Sequence, residues 1–144
     1  MASVTVYGTV TGTLANVQTS DEQREVLNEA LSPGSASTRY SRLDHRFSFT
    51  VGAGSLKELH VEGFGSESLD GDTFRCEYSL DGVNFVAVTM PLFPDLDANS
   101  DVAGALPGAL SGTVTIRIVD TNHTPGTTVL DTFSVDEIWI RAVP

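Results

Sequence analysis

The chain has 144 residues, with 19 acidic against 8 basic side chains and a formal net charge of −11 at pH 7. That length fits one domain whose core buries roughly two-thirds of the unfolded surface, with no need of a disulfide staple. The charge balance disfavours DNA, RNA and anionic membrane faces as partners. No apolar run approaches a bilayer span, and a single cysteine, Cys76, excludes an internal disulfide. The opening Met1-Ala2-Ser3 lacks the basic and apolar regions of a signal peptide, and the chain is read as a piece of a longer secreted protein.

In chain order, alternation with a period of two dominates and helical periodicity is nearly absent. Residues 4–11 are rich in β-branched side chains and predict one strand. Residues 21–31 have a helical option, with Ser20 or Asp21 as N-cap. The same residues also read as extended, and strand is preferred because every other element is one. Turn chemistry fills residues 32–37, and the next strand ends in alternating Phe47, Phe49 and Val51. Leu56, Leu59, Val61 and Phe64 mark another. Asp70-Gly71-Asp72 predicts a turn, after which Phe74, Cys76 and Tyr78 share one strand face.

Asp81-Gly82 is a hairpin signal leading into Phe85-Val86-Ala87-Val88. Residues 90–110 read as a long polar loop. Strands over 113–119 and 132–143 finish the chain, with Pro125-Gly126 turning between them. About eight or nine short strands at this spacing predict an all-β protein, a two-sheet antiparallel sandwich with under about 10% helix. Nothing divides residues 1–144 into more than one module.

Catalytic signals are few. His45, His60 and His123 have no zinc-site spacing, and there is no nucleophile elbow or phosphate loop. Paired carboxylates suited to glycoside hydrolysis exist in any chain this acidic, but that chemistry also needs a cleft lined with aromatics, and only one Trp and three Tyr are present. Cys76 has no base nearby and reads as a buried, inert thiol.

The acidic loops around Asp70-Gly71-Asp72 and over residues 95–101 hold oxygens of the kind Ca²⁺ prefers. The second resembles an EF-hand loop in spacing but lacks the glycine and glutamate that loop requires, so solvated turn residues are expected there. Asp136 sits mid-strand between Val135 and Glu137, where Asp is disfavoured. If it points inward it needs Arg42, Arg46 or Arg117 as an ionic partner, or Ca²⁺. Residues 39–46 are the one basic stretch, able to bind a carboxylated ligand or to pair within the chain. Trp139 faces outward if Ile138 and Ile140 face the core, and inward if Phe133 and Val135 set the phase. If the ligand is a glycan, its rings are expected to stack on Trp139 or Tyr40, with Arg42 or Arg46 donating hydrogen bonds.

The runs Ile116-Arg117-Ile118-Val119-Asp120-Thr121-Asn122-His123-Thr124-Pro125-Gly126 and Leu130-Asp131-Thr132-Phe133-Ser134-Val135-Asp136-Glu137-Ile138-Trp139-Ile140-Arg141 resemble a recurrent module of bacterial secreted, multimodular proteins. Arg39-Tyr40-Ser41-Arg42-Leu43-Asp44-His45-Arg46-Phe47 and Tyr78-Ser79-Leu80-Asp81-Gly82 are similar too. The resemblance covers roughly residues 18–142. Asn122-His123 stands where the module usually has Asp-Arg, which removes one carboxylate from that loop. The resemblance implies a galactose-binding-like jelly roll, the fold of many carbohydrate-binding modules.

It also implies a structural calcium ion between the chain's beginning and its last strand, with Asp136 as leading ligand and Asp131, Asp21 and Glu25 as further candidates. The implied function is a non-catalytic, extracellular carbohydrate-binding module, covalently linked to neighbouring domains and taking a polysaccharide or oligosaccharide as partner. The alternative is a structural or adhesive sandwich of a cell-surface or virion protein without a sugar ligand.

Overall fold

The computed structural model describes residues 1–66, 71 and 73–143. Its strands are β1 (Ala2–Tyr7), β2 (Thr9–Thr11), β3 (Glu25–Asn28), β4 (Ala30–Leu31), β5 (Ser41–Arg42), β6 (Asp44–Val51), β7 (Leu56–Gly65), β8 (Phe74–Ser79), β9 (Val86–Ala87), β10 (Asp101–Leu106), β11 (Gly112–Asp120) and β12 (Thr132–Val143). The one helical element among the described residues is a 3₁₀ turn, Leu14–Val17. Two antiparallel five-stranded sheets result, β1-β6-β11-β8-β9 and β10-β7-β12-β3-β2, with β4 and β5 paired at the side. The sequence expectation of an all-β, two-sheet sandwich holds.

Period-two alternation decides what lies between the sheets. Phe47, Cys76, Val114, Ile116 and Ile118 face inward from the first sheet, and Leu27, Leu59, Val61, Phe133 and Val135 from the second. Phe133 anchors one end, its ring 4.6 Å from that of Phe93 and 5.3 Å from that of Phe74. At the other end Lys57 is fully buried, and its ammonium donates to the carbonyls of Gly54 (2.8 Å) and Gly108 (2.7 Å). Burial pushes the Cys76 thiol up to about 12, which keeps it protonated and inert, as its sequence context predicts.

The longest strand, β12, carries a β-bulge at Asp136, where its pairing to β7 slips between Val135 and Glu137. One extra residue reverses the phase of everything after it. Phe133 and Val135 face inward before the bulge, and Ile138 and Ile140 after it. The two registers read from the sequence are therefore each correct for half of the strand. Trp139 turns outward and stacks on His60 of β7, ring centroids 4.7 Å apart.

Other expectations change in detail. Residues 4–11 are two strands in different sheets, because Gly8, at φ +99°, turns the chain from one sheet into the other. A Cβ at Gly8 would lie 2.5 Å from the carbonyl oxygen of Asn28. Residues 21–31 take the extended option from Glu25 onward. The predicted loop over 90–110 contains β10, which pairs with β7 as an edge strand. Of the run 85–88 only Val86 and Ala87 form the strand β9, and the Val88 N–H donates to the Cys76 carbonyl just beyond it. Of the Asp70-Gly71-Asp72 turn, both aspartates lie outside the described residues.

Gly63 faces Val135 next to the bulge, and a Cβ there would approach the carbonyl oxygen of Ser134 to 2.6 Å and the Phe133 ring to 3.2 Å. Backbone cannot give way as a flexible side chain does. Gly63→Ala is expected to lower stability by about 1–3 kcal/mol in urea unfolding. Wild-type stability in that variant would show that the bulge tolerates a wider strand spacing.

Candidate functional site

The outer face of the β1-β6-β11-β8-β9 sheet concentrates the chain's cationic side chains. Cross-strand pairing sets two adjacent rows: Tyr7, Asp44, Val119 and Arg75 in one, and Val4, Arg46, Arg117 and Glu77 in the next. The carboxylates of these rows are sunk and the guanidinium groups lie over them. Arg46 grips Asp44 with two parallel bonds, Nε to Oδ1 at 2.8 Å and Nη2 to Oδ2 at 2.9 Å. These bonds hold the Arg46 pKa above its ordinary value. Arg117 donates to Asp44 Oδ2 (3.2 Å) and to Glu77 Oε2 (2.7 Å), and Arg75 donates to Glu77 Oε1 (2.8 Å). Three arginines thus share two buried carboxylates.

Aromatic rings frame this network. Phe85 lies under both Arg117 (3.9 Å from its centroid) and Arg46 (4.9 Å). The turn before it is fixed by Asp81, whose carboxylate accepts from the backbone and side chain of Asn84 and from the Val83 N–H. Those bonds hold the Asp81 carboxyl well below the usual carboxylate range. Arg42 lies over the Tyr7 ring at 3.7 Å, and Tyr40 stacks on His123 at 5.0 Å. Between these groups opens a cavity of about 230 Å³ lined by Tyr7, Tyr40, Arg42, Asp44, Arg75 and Arg117, with His123 and Asp120 at one side.

The structure therefore brings together Tyr40 and Arg42 of the expected ligand set at one cavity, with Arg46 in the adjoining row. Trp139 does not join them, because it stands on the outer face of the other sheet. There it is surrounded by carboxylates: His60 lies 2.5 Å from Asp101 and 3.7 Å from Glu58, and Glu62 sits between Asp101 and Glu137 across the strands. Partial burial, with Glu62, Asp136 and Asp101 adding repulsion, raises the Glu137 pKa. The sequence reading did not single out Tyr7, Arg75, Phe85 or Glu77. Only strand pairing assembles them, and none has a local motif.

The four expected calcium ligands do not converge. Asp21 is exposed and accepts from the Gln23 N–H. Glu25 is buried facing His45 at 3.5 Å across the two sheets. Asp131 accepts from Ser66 and lies beside Glu29. Asp136, 3% exposed, has neither carboxylate oxygen hydrogen-bonded. None of the three arginines considered for it bonds to it: Arg46 and Arg117 stand on the opposite sheet, and Arg42 belongs to the side pair β4-β5. Among the described residues, no group of three or more His, Cys, Asp or Glu side chains is arranged to hold a metal.

A second cavity of about 240 Å³ opens at the loop end of the sandwich, over Phe74 and Phe93 and beside Asp131. A buried acidic cluster of Glu29, Asp120 and Asp131, each 4% exposed or less, reaches the first cavity through Asp120 and the second through Asp131. Burial, with repulsion from Asp120 and Asp131, raises Glu29 to about 7, while the Asp131 N–H donates to its carboxylate.

No family model matches the chain, and no curated protein matches it. Among solved structures, the carbohydrate-binding module TmCBM61, determined with β-1,4-galactotriose, superposes with a TM-score of 0.55 at 10% identity, covering 98% of this chain and 87% of that one. A CBM4 structure gives a TM-score of 0.47 at 12% identity, over 86% and 87% of the two chains. The likeness is one of fold: the chain is a two-sheet β-sandwich of the architecture found in carbohydrate-binding modules.

The raised Glu29 makes a test of the buried cluster. A carboxyl that binds its proton more tightly folded than unfolded favours the folded state at low pH. That advantage is lost as pH rises from about 4.5 to about 7, amounting to a few kcal/mol by linkage. Glu29→Gln keeps the acceptor for Asp131 and removes the charge. In chelator, it is expected to gain stability over wild type progressively above pH 5 and to level off above pH 7. Parallel melting-temperature profiles for the two proteins would overturn this account.

Proposed function

We propose that the protein is a non-catalytic carbohydrate-binding module of a secreted, multimodular protein, taking an oligosaccharide or polysaccharide on the outer face of the β1-β6-β11-β8-β9 sheet. The observation that carries this reading is the open cavity itself. There a half-buried Tyr40, stacked on the exposed His123, stands beside Arg42 and Arg75, the pairing of ring faces and hydrogen-bond donors that a sugar ring requires. The fold shared with the galactotriose-bound TmCBM61 supports it.

Catalysis is disfavoured by the state of the carboxylates. Asp44 and Glu77 of the open face are saturated by arginine, and Glu29, the acid with the pKa suited to proton transfer, lines neither cavity. Affinity electrophoresis in gels containing polysaccharides tests the binding. Retardation by at least one polymer is expected. Tyr40→Ala should weaken binding about tenfold or more, near 1.4 kcal/mol, and Trp139→Ala should leave it intact. No retardation in any gel would favour a structural or adhesive domain, and loss of binding in Trp139→Ala alone would move the site to the other sheet.

A structural calcium ion at Asp136 belongs to the same proposal. Two buried, unpartnered carboxylate oxygens are the donor chemistry a hard cation takes, with backbone carbonyls and water as the remaining ligands. The ion would neutralise a buried charge and hold the bulge. Binding to the folded state alone contributes about 2.7 kcal/mol at a hundredfold excess over Kd. Chelator should therefore lower the melting temperature of wild type and not of Asp136→Asn. Identical wild-type melting in chelator and in millimolar Ca²⁺ would remove calcium from the account.

A further inference from the structure

The charged side chains of the open face of the β1-β6-β11-β8-β9 sheet present donors outward and keep their acceptors sunk. Both oxygens of Asp44 are taken by Arg46, with Arg117 sharing one, and the two oxygens of Glu77 are taken by Arg75 and Arg117. Asp44 is 5% exposed and Glu77 4%, whereas the Arg75 side chain is 54% exposed. Arg42, over Tyr7, has no carboxylate partner among the described residues. Asp120, also at the cavity, is 2% exposed and lies 3.6 Å from His123. Three guanidinium groups therefore stand over two sunken carboxylates, with Arg42 beside them at the cavity.

A neutral sugar hydroxyl both donates and accepts, and a site built for it presents both functions. Here an incoming group meets N–H donors whose own acceptors are already saturated. The complementary ligand brings acceptor oxygens and negative charge, which planar guanidinium groups bind in pairs.

We propose that this face binds an acidic glycan, its carboxylate or sulfate oxygens received by Arg42, Arg75 and Arg117 and its ring carried by Tyr40. This rests on the carbohydrate-binding reading above and narrows its substrate class. The formal charge of −11 does not oppose it. At physiological ionic strength charges act over about 8 Å, so the local guanidinium layer governs contact.

The test is titration calorimetry with four probes: oligogalacturonate, the same oligomer after carboxyl reduction, a sulfated galactan oligosaccharide, and β-1,4-galactotriose. Oligogalacturonate, the sulfated oligomer, or both should bind at least tenfold more tightly than either neutral probe, and which of them binds assigns the anion. Raising ionic strength from roughly 0.01 to 0.1 M, which shortens the Debye length from about 30 to about 10 Å, should weaken that binding several-fold.

Arg42→Gln and Arg75→Gln should each reduce affinity about tenfold at temperatures where each variant is folded by its own melting curve, while Arg141→Gln, on the other sheet, should not. Equal or tighter binding of a neutral probe, unaffected by Arg42→Gln and Arg75→Gln, would overturn the acidic class and leave the carbohydrate reading standing. Absence of binding to all four probes and to every polysaccharide gel would overturn both.

Discussion

A single extra residue in β12 sets the orientation of the second sheet. β12 is the central strand there, paired on one side with β7 and on the other with β3. Without the bulge at Asp136, the phase that buries Phe133 and Val135 would also bury Glu137 and Trp139 and expose Ile138. With it, four apolar side chains of one strand reach the same core. The bulge in turn requires Gly63 on the partner strand, where no side chain fits between the two backbones. It leaves the Asp136 carboxylate buried without a hydrogen bond. An uncompensated buried charge of that kind is unfavourable enough to call for a counter-charge beside it. The core's apolar continuity and the unsatisfied acid are two results of one geometric device.

The same alternation that fills the core fixes the exterior. In the first sheet the inward row through His45, Ile118 and Cys76 lies between the two outward rows that carry Asp44, Arg75, Arg46, Arg117 and Glu77. The Arg46–Asp44 and Arg75–Glu77 bonds form within β6 and β8, but Arg117 bridges the two carboxylates only when β6, β11 and β8 pair in register. Sinking two carboxylates under three arginines has a desolvation penalty that good geometry offsets only in part. Such networks therefore persist more readily where orientation of the outermost cation matters than where stability alone is at stake.

The sequence carried the strands whose alternation is strong, such as Phe47-Phe49-Val51 and Phe74-Cys76-Tyr78, because period-two burial is local information. It missed β10, whose centre Ala103-Gly104-Ala105 has low strand propensity. That strand exists because β7 offers an edge, and Gly104 is required where Val88 and Met90 pack within 3 Å of its position. The switch of sheet at Gly8 looked like one continuous β-branched run. Trp139 could not be oriented from pattern alone, since a bulge adds one residue to the count without altering composition. Of the site, residues 39–46 were legible as a basic stretch. Their partners Arg75, Glu77, Phe85 and Tyr7 were not, because only the register of β1, β6, β11 and β8 brings them there.

The two outer faces end with opposite character. One sheet exposes arginine over buried acid, and the other lines Glu58, Glu62, Asp101 and Glu137 along the strands that carry the Trp139–His60 stack. A net negative molecule with Arg42, Arg46, Arg75 and Arg117 gathered at one face carries charge of different sign on its two faces at contact range. An anionic chain would be turned away from the β7–β12 face and admitted at the arginine face. The acidity that argues against polyanions for the molecule as a whole thus acts as a selector of approach. Selection of this kind follows from placing strand phase and side-chain charge in register: shift β11 by one residue and Arg117 would enter the core while Ile118 met solvent.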